Sequence, residues 1–145
     1  MRRIVGAAVF LLLAGCDGAN GADLGAGRSA DTRGLKVSAA EMSKAFLVNT
    51  TRAKAAYGGH KLEVSGEIKG IDFGLTHRPV IKLRGFGDTM DLGVTEDGKV
   101  SDVSINGLSD DEAAKLSKGQ ALTFLCRGAD EVASGAQLSD CRIKA

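Results

Sequence analysis

The sequence predicts a mainly β fold with helices: a closed five-stranded barrel, one helix before it, and a short helix before its last two strands. Three observations lead to this fold. From His60 onward, apolar and polar residues alternate with a period of two in several short runs. Two Ser-x-x-Glu boxes mark helix starts at Ser38 and Ser109. A hairpin with two cysteines closes the chain, whose 145 residues have room for one such domain.

The chain begins with an export signal. Arg2 and Arg3 precede an apolar run over residues 4–14, after which small residues lead to a cysteine. The run is about half of the roughly 20 apolar residues that a membrane span needs. Its end, Leu13-Ala14-Gly15-Cys16, resembles the lipobox of bacterial lipoproteins, in which the cysteine is lipidated and becomes the new N-terminus. The alternative is an ordinary cleaved signal that leaves Cys16 as a chance thiol.

We therefore expect a signal peptide over residues 1–15, a flexible linker over 16–36 that starts at lipidated Cys16, and a folded domain over 37–145. The linker is rich in small and polar residues and has no apolar periodicity, so it cannot bury enough surface to order itself. Such an anchored chain lies in the bacterial cell envelope and faces the periplasm or the exterior. Asp17, directly after the cysteine, favours the inner membrane in some Gram-negative bacteria.

The cysteine count supports the same localisation. Three cysteines leave one unpaired, and lipidation of Cys16 frees Cys126 and Cys141 to pair in an oxidising compartment. A hairpin turn centred between residues 133 and 134 puts these two cysteines directly opposite each other, close enough for a disulfide. A bridge closing about 15 residues contributes roughly 3 kcal/mol of stability. The alternative, a redox-active pair, lacks the usual Cys-x-x-Cys spacing.

The first ordered element is a helix. Ser38 and Glu41 form a capping box, and apolar residues recur behind it at nearly helical spacing. We expect a helix from about residue 39 to 56, closed by Tyr57 and by a left-handed glycine cap in Gly58-Gly59.

Four alternating runs follow the helix. The first covers about residues 60–69, and Gly66 on its apolar side permits a bend or a close backbone approach. The second covers 78–84, with Arg78, Val80, Lys82 and Arg84 on one face and Pro79, Ile81 and Leu83 on the other. The third contains Met90, Leu92 and Val94, and the fourth contains Val100, Val103 and Ile105. Asp97-Gly98 between them is typical of a two-residue hairpin turn.

A second helix and two strands complete the chain. Ser109 and Glu112 form another capping box, and Gly119 ends the short helix. Strands are expected over about 120–128 and 136–143. A long bent strand, further strands, a short helix and a closing hairpin follow the order of an OB barrel, in which closure removes the exposed sheet edges.

Several sequence blocks resemble the tRNA_anti-like family, which comprises OB-fold lipoproteins and related exported proteins. The matching blocks lie within residues 37–145 and are Val37–Glu41, Asn49, Ala53, Tyr57–Gly59, Leu62–Ile68, Glu112–Gln120 and Leu138–Cys141. The stretch from Gly85 to Val100 fits the pattern least well. The resemblance implies an OB fold with an N-terminal helix, and it brings no catalytic residues. The family's link to nucleic acid rests on analogy of fold, which is a weak argument for function.

The candidate ligand-binding residues are the cations Arg78, Lys82 and Arg84 on one strand face, with His77 beside them. The second and third strands of an OB barrel carry its usual ligand face, so these cations are placed to bind an anionic ligand. The alternative is an ordinary solvated strand face.

The sequence offers no catalytic, cofactor or metal motif. Neither His60 nor His77 has a partner at metal-binding spacing. A metal-dependent hydrolase using Asp110, Asp111 and Glu112 is the least favoured hypothesis, because helix capping already explains those carboxylates. We therefore expect no cofactor and no enzymatic activity.

Two functions remain. The favoured one is a lipid-anchored, non-enzymatic OB module that binds an envelope protein or component; its alternative is an OB domain that binds an oligonucleotide or oligosaccharide through the basic strand face. Removing residues 1–15 takes away two of the 19 Lys+Arg and none of the 18 Asp+Glu, which leaves 17 minus 18, or about −1. This net charge disfavours nucleic acid, whose binding depends on neutralising phosphates.

Overall fold

A computed structural model describes residues 34–88, 93–132 and 135–145. In that part of the chain the elements follow in the order β1 (Leu35–Ser38), α1 (Ala39–Val48), α2 (Thr50–Tyr57), β2 (Lys61–Phe73), β3 (Pro79–Leu83), β4 (Val103–Asn106), α3 (Asp110–Ala113), β5 (Ala121–Val132) and β6 (Gly135–Ile143). The predicted signal peptide, Cys16, Asp17 and the linker up to residue 33 lie outside the described residues. Among the helices of the described ranges, none is long and apolar enough to cross a bilayer.

Five strands close into a barrel, as predicted. The neighbours run β2-β3-β4-β6-β5, and β5 pairs back onto β2. The first half of β2 pairs with β5 and its second half pairs with β3. This one long strand therefore joins β3 to β5 and closes the barrel. Only the β4–β6 pair of the barrel is parallel, and the other pairs are antiparallel. This is the connectivity of the OB fold, with α3 between the third and fourth barrel strands.

The strand β1 was not predicted. Its four residues pair in parallel with the start of β2, from Leu35 beside Leu62 to Ser38 beside Ser65. The strand therefore includes the last two residues of the predicted linker over residues 16–36. Leu35 and Val37 alternate with Lys36 and Ser38, but four residues are the shortest run in which alternation indicates a strand.

The single helix predicted over residues 39–56 is two helices. Asn49 separates them with extended backbone angles of φ −159° and ψ 94°. Its N–H donates to the carbonyl of Ala45, and this bond caps the C-terminal end of α1. Its side chain accepts from the N–H of Arg52, and this bond caps the N-terminal end of α2. Asparagine is among the best helix-capping residues, so it can serve both helices at once. The capping box between Ser38 and Glu41 is present as predicted.

The core lies inside the barrel and under α1. Its fully buried large side chains are Met42, Leu62, Val64, Ile68, Ile81, Leu83, Val103, Ile105, Phe124 and Leu138. Gly66 seats α1 on the barrel, because a Cβ there would lie 2.9 Å from the Cβ of Ala39 and 3.1 Å from Leu83 Cδ1. The close approach predicted at this glycine is confirmed.

Cys126 and Cys141 form the predicted disulfide, with their Cα atoms 4.0 Å apart. The bridge joins β5 to β6 from within the core, since both cysteines are buried. The turn between these strands, at residues 133 and 134, lies outside the described residues.

The predicted register of this hairpin is correct for a reason that the sequence did not reveal. Near the turn, Ala129 faces Leu138, but farther on Arg127 faces Ser139, so β5 has one extra residue at Gly128. A second bulge adds one residue to β6 at Asp140 and restores the register before the cysteines. Gly128 and Asp140 both adopt positive φ, at 72° and 49°, which is typical of such bulges.

The region between β3 and β4 differs most from its prediction. The predicted third strand falls largely on residues 89–92, outside the described residues, and Val94 makes a single antiparallel bridge to Val100. The turn is not the expected two-residue Asp97-Gly98 type: Thr95 N–H donates to the Lys99 carbonyl across three loop residues. Gly98 supplies the positive φ of 73° that this longer loop requires.

Candidate ligand face of the barrel

The outer face of β3 and β4 is the candidate ligand face, and pairing defines its first row. Lys82 of β3 lies between Gly70 of β2 and Ser104 of β4, and Ser104 is paired in turn with Gln137 of β6. Gly70 has no side chain and has open space around the position of a Cβ, so the surface beside Lys82 is open to a ligand.

A second row runs parallel to the first. Val80 of β3 lies between Asp72 of β2 and Asn106 of β4. Asn106 donates from Nδ2 to the carbonyl of Leu138 at 3.0 Å, which fixes the orientation of the amide. The two rows together present mainly neutral hydrogen-bonding groups around one lysine and one aspartate.

Lys82 is engaged within this face. Its Nζ donates to Ser104 Oγ at 2.9 Å, and the side chain is half-buried. The alternation of the sequence placed Lys82 on the outer face correctly, but it could not show a partner on a neighbouring strand. A ligand of Lys82 would have to share the ammonium group with Ser104.

Arg84 is engaged more strongly. Its Nη2 lies 3.3 Å from Glu67 Oε1, and its Nη1 lies 4.0 Å from Asp88 Oδ2. The pairing with Glu67 follows from β2–β3 geometry, since Arg84 N–H also donates to the Glu67 carbonyl. The structure therefore does not join Arg84 to Arg78 and Lys82 as one free cationic stripe.

Sequence reasoning missed a buried charge cluster beside Arg84. Lys69 Nζ lies 2.9 Å from Asp88 Oδ2 and 3.1 Å from Asp102 Oδ1, with side-chain exposures of 9%, 0% and 14%. Burial acts to lower the pKa of Lys69, but the two carboxylates outweigh burial and the pKa ends above its ordinary value. The residues are distant in sequence, and a bulge between Ile68 and Gly70 directs the lysine inward, so no local pattern signals the cluster.

His77 and Arg78 lie at the tip of the β2–β3 hairpin. The N–H of His77 donates to the Gly74 carbonyl at 2.9 Å, and Gly74 N–H donates to the Arg78 carbonyl at 2.8 Å. These bonds leave a three-residue loop, Leu75 to His77, in which His77 takes a positive φ of 56°. Both predicted site residues are exposed. Within the described ranges, no side-chain ion pair or hydrogen bond engages Arg78.

The same hairpin carries large apolar side chains that the sequence analysis did not single out. Phe73 is 76% exposed and Leu75 is fully exposed, at 104%. The strand was expected to end near residue 69, so these residues fell into an unassigned loop. Because β2 extends to Phe73, both side chains lie at the tip of the hairpin. The sequence did not show this extension, so it did not bring the two residues together.

A shallow groove of about 710 Å³ lies elsewhere, along β2 and β5 near the C-terminus. Its one lysine, Lys144, contacts Glu63 Oε1 at 2.6 Å. The groove therefore presents no uncommitted cation, and the candidate ligand face remains the outer surface of β3 and β4.

One of the three carboxylates considered for a hydrolase, Glu112, caps a helix. The N–H and Oγ of Ser109 both donate to Glu112 Oε2, at 2.9 and 2.8 Å, and complete the second capping box. These bonds hold the pKa of Glu112 below its ordinary value. Among the residues that the structure describes, no three His, Cys, Asp or Glu side chains converge as a metal site.

Comparison with known proteins supports the fold. The chain is similar to a solved structure from Klebsiella pneumoniae subsp. pneumoniae MGH 78578, described as a putative nucleic acid-binding lipoprotein, with a TM-score of 0.55 and 18% identity. The match covers 77% of this chain and 92% of that chain. No family model matches the sequence, and no curated protein gives a significant match. The resemblance to the tRNA_anti-like family stays a prediction.

Proposed function

We propose that this protein is a lipid-anchored, exported OB-fold module that binds an envelope protein or component without catalysing a reaction. The observation that carries the proposal is the character of the outer face of β3 and β4. It lies where OB barrels bind ligands, and it presents neutral hydrogen-bonding side chains around a lysine that is already engaged. Such a face suits a neutral polar partner better than a polyanion.

The proposed envelope location has three supports. The lipobox-like Leu13–Cys16 provides the anchor, and a disulfide between Cys126 and Cys141 is typical of an oxidising compartment. The similar Klebsiella structure is described as a lipoprotein, in agreement with this location. Asp17 favours retention in the inner membrane, where the organism uses that rule.

The anchor is tested by replacing Cys16 with serine and labelling growing cells with radioactive palmitate. The native protein should incorporate the label and sediment with membranes, because acyl chains contribute about 0.8 kcal/mol per buried methylene. The Cys16→Ser protein should do neither. Equal membrane association of the two proteins would contradict lipid anchoring.

The binding face is tested by photo-crosslinking in the native envelope. A photoreactive phenylalanine analogue replaces Val80 on the candidate face, and a matched protein carries it at Arg142, an exposed β6 residue. We expect a discrete cross-linked partner from position 80 and none from position 142. The same products from both positions, or none from either, would refute a specific face on β3 and β4.

The alternative function is binding of an oligonucleotide or anionic oligosaccharide. Arg78 favours it, because this exposed cation lies beside the candidate face without a described side-chain partner, and the similar Klebsiella protein is described as nucleic acid-binding. The ion pair of Arg84 with Glu67 weighs against it, since a ligand phosphate at Arg84 would compete with an existing carboxylate contact. Lys82 is half-buried and would share its ammonium group between Ser104 and a ligand.

Salt dependence separates the two functions. A protein that neutralises several phosphates loses affinity steeply as salt rises, with a slope of roughly −0.7 per phosphate for single strands. We expect a slope of magnitude below about 1 with a single-stranded oligonucleotide, because of the three cations predicted for this face only Arg78 has no side-chain partner among the described residues. A slope near −2, which corresponds to about three phosphates, would favour the alternative if its magnitude fell below about 1 in an Arg78→Ala, Lys82→Ala double variant. Circular dichroism of that variant controls for loss of fold.

A further inference from the structure

The tip of the β2–β3 hairpin exposes more apolar surface than a soluble loop normally does. Phe73 is 76% exposed and Leu75 is 104% exposed, and the partly exposed Ile71 precedes them on the same strand at 37%. A single exposed apolar residue needs no explanation, but several on one protrusion mark a site of contact. We call Phe73, Leu75, His77 and Arg78 the hairpin tip.

The hairpin tip also departs from the residue preferences of its own turn. Loops of three residues place glycine at the last position, where φ is positive, yet this chain has His77 there with φ 56°. The first loop position normally carries a small or polar residue, yet this chain has the fully exposed Leu75. Departures from local rules without a gain in packing are expected where function requires them.

The shape of the hairpin tip indicates what it contacts. Two large side chains on a convex loop offer far less area than the roughly 800 Å² per partner of a stable protein interface. A lipid surface needs no complementary shape, and it accepts aromatic and leucine side chains at the level of its headgroups. Arg78 directly follows the loop and is exposed, so its guanidinium can reach lipid phosphates when the loop meets the bilayer.

The length of chain before the domain allows this contact. Between Cys16 and Gly34 lie 17 residues, and the 18 steps of chain between these two Cα atoms extend to at most about 60 Å. Gly34 lies beside Leu62, and the 11 steps from Leu62 to Phe73 span at most about 36 Å of strand. The tether is therefore long enough for anchor and hairpin tip to reach the same bilayer. It also keeps the tip at high effective concentration near that bilayer, so weak insertion suffices.

We infer that the hairpin tip is a second, reversible membrane contact: Phe73 and Leu75 enter the headgroup region of a phospholipid bilayer, and Arg78 binds lipid phosphate. This inference rests on the proposed lipid anchor for its localisation, and it adds an orientation. The contact holds the β2–β3 edge of the barrel against the membrane, so the adjoining ligand face is presented beside the lipid surface rather than away from it.

The chain contains no tryptophan, which makes a clean test available. Phe73→Trp places a single fluorophore at the hairpin tip, and Val48→Trp places one on α1 at an almost equal exposure, 76% against 75%. Each lipidated protein is reconstituted in vesicles of phosphatidylethanolamine and phosphatidylglycerol, with or without brominated acyl chains. We expect a blue-shifted emission and at least threefold stronger bromine quenching for Phe73→Trp than for Val48→Trp.

Two further variants sharpen the result. Adding Leu75→Ser to Phe73→Trp should lower the quenching at least twofold, because it removes the neighbouring anchor. Adding Arg78→Ala should lower it mainly in vesicles rich in phosphatidylglycerol. Both changes affect exposed side chains, and circular dichroism verifies that the fold is retained.

Three outcomes would overturn the inference. Equal quenching at positions 73 and 48 would mean that the tip does not insert. A blue shift that depends on protein concentration without vesicles would indicate a second copy of the chain at the tip. A shift that appears only with an envelope protein extract would indicate a protein partner.

The test also separates this inference from the proposed anchor. Unlipidated Cys16→Ser protein is titrated with excess vesicles. If quenching at position 73 still exceeds quenching at position 48 in this protein, the hairpin tip contacts the membrane independently of the anchor. Absence of palmitate on the native protein, with quenching at position 73 intact, would reject the anchor and retain the tip.

Discussion

Replacing Lys69 in the buried cluster with Asp88 and Asp102 tests whether this charge cluster stabilises the fold. Lys69→Met keeps most of the side-chain volume but leaves Asp88, whose side chain is fully buried, without the ammonium group at 2.9 Å. Breaking a buried ion pair typically costs 3–5 kcal/mol. Lys69 retains 9% exposure, and Arg84 remains 4.0 Å from Asp88, so we place the cost at the lower end, about 3 kcal/mol.

The measurement is urea unfolding at neutral pH with the disulfide intact. A loss of about 3 kcal/mol shifts the unfolding midpoint by about 1.5 M when the slope is about 2 kcal/mol/M. The pKa of Lys69 is raised in the folded protein, so its stabilising charge is fully present at neutral pH and is lost only as the pH rises through that raised value. Neutral pH therefore reports the whole contribution.

Lys54→Met is the matched control. Lys54 Nζ contacts Asp130 Oδ1 at 2.6 Å, closer than either contact of Lys69, but the two side chains are 48% and 69% exposed. Burial rather than distance decides the cost, because water screens an exposed pair. We expect no measurable shift in the control. Equal shifts for Lys54→Met and Lys69→Met would refute the argument that Lys69 stabilises the fold through buried charge.

Two further predictions concern the fold. Gly85→Ala should prevent folding, seen as loss of the soluble oxidised protein, because its Cβ would overlap the Ser101 carbonyl oxygen; Gly70→Ala, with open space at its Cβ, should fold normally. Ser109→Ala should reduce the loss of stability on acidification, measured as urea midpoints at pH 6 and pH 3. The folded-state pKa of Glu112 is lowered by its bonds from Ser109, so that stabilisation is present above the unfolded pKa and lost as the pH falls. An unchanged pH dependence would contradict this role.

Patterns confined to neighbouring residues predicted well. The two capping boxes, the long strand from residue 61 and the pairing of Cys126 with Cys141 all depend on local spacing, and the structure contains them. The hairpin register also held, although only because the bulges at Gly128 and Asp140 cancel. Had only one been present, the same argument would have misaligned the cysteines by one residue.

Contacts between distant residues set the limit of prediction. Alternation placed Lys82 on the outer face, but its partner Ser104 lies on another strand. The Lys69 cluster needs both the bulge after Ile68 and a loop that returns Asp88 and Asp102 to the same point. Neither condition leaves a periodic signal in the sequence. The sequence therefore predicted a row of free cations, Arg78, Lys82 and Arg84, without showing the partners of the last two.

The proposed anchor and the candidate face would complement each other energetically. The face presents mainly neutral groups with one lysine and one aspartate, so it carries almost no net charge and does not gather a distant partner by electrostatic steering. Tethering removes the need for such steering, because it confines the domain to the layer in which its partner resides and raises the effective concentration to the millimolar range. A soluble form of the domain should therefore bind the same partner with the same contacts but much lower occupancy, whereas a change at Val80 should weaken binding in both forms. Under this proposal the barrel face determines the affinity for the partner, and the lipid anchor determines how much of the partner is bound.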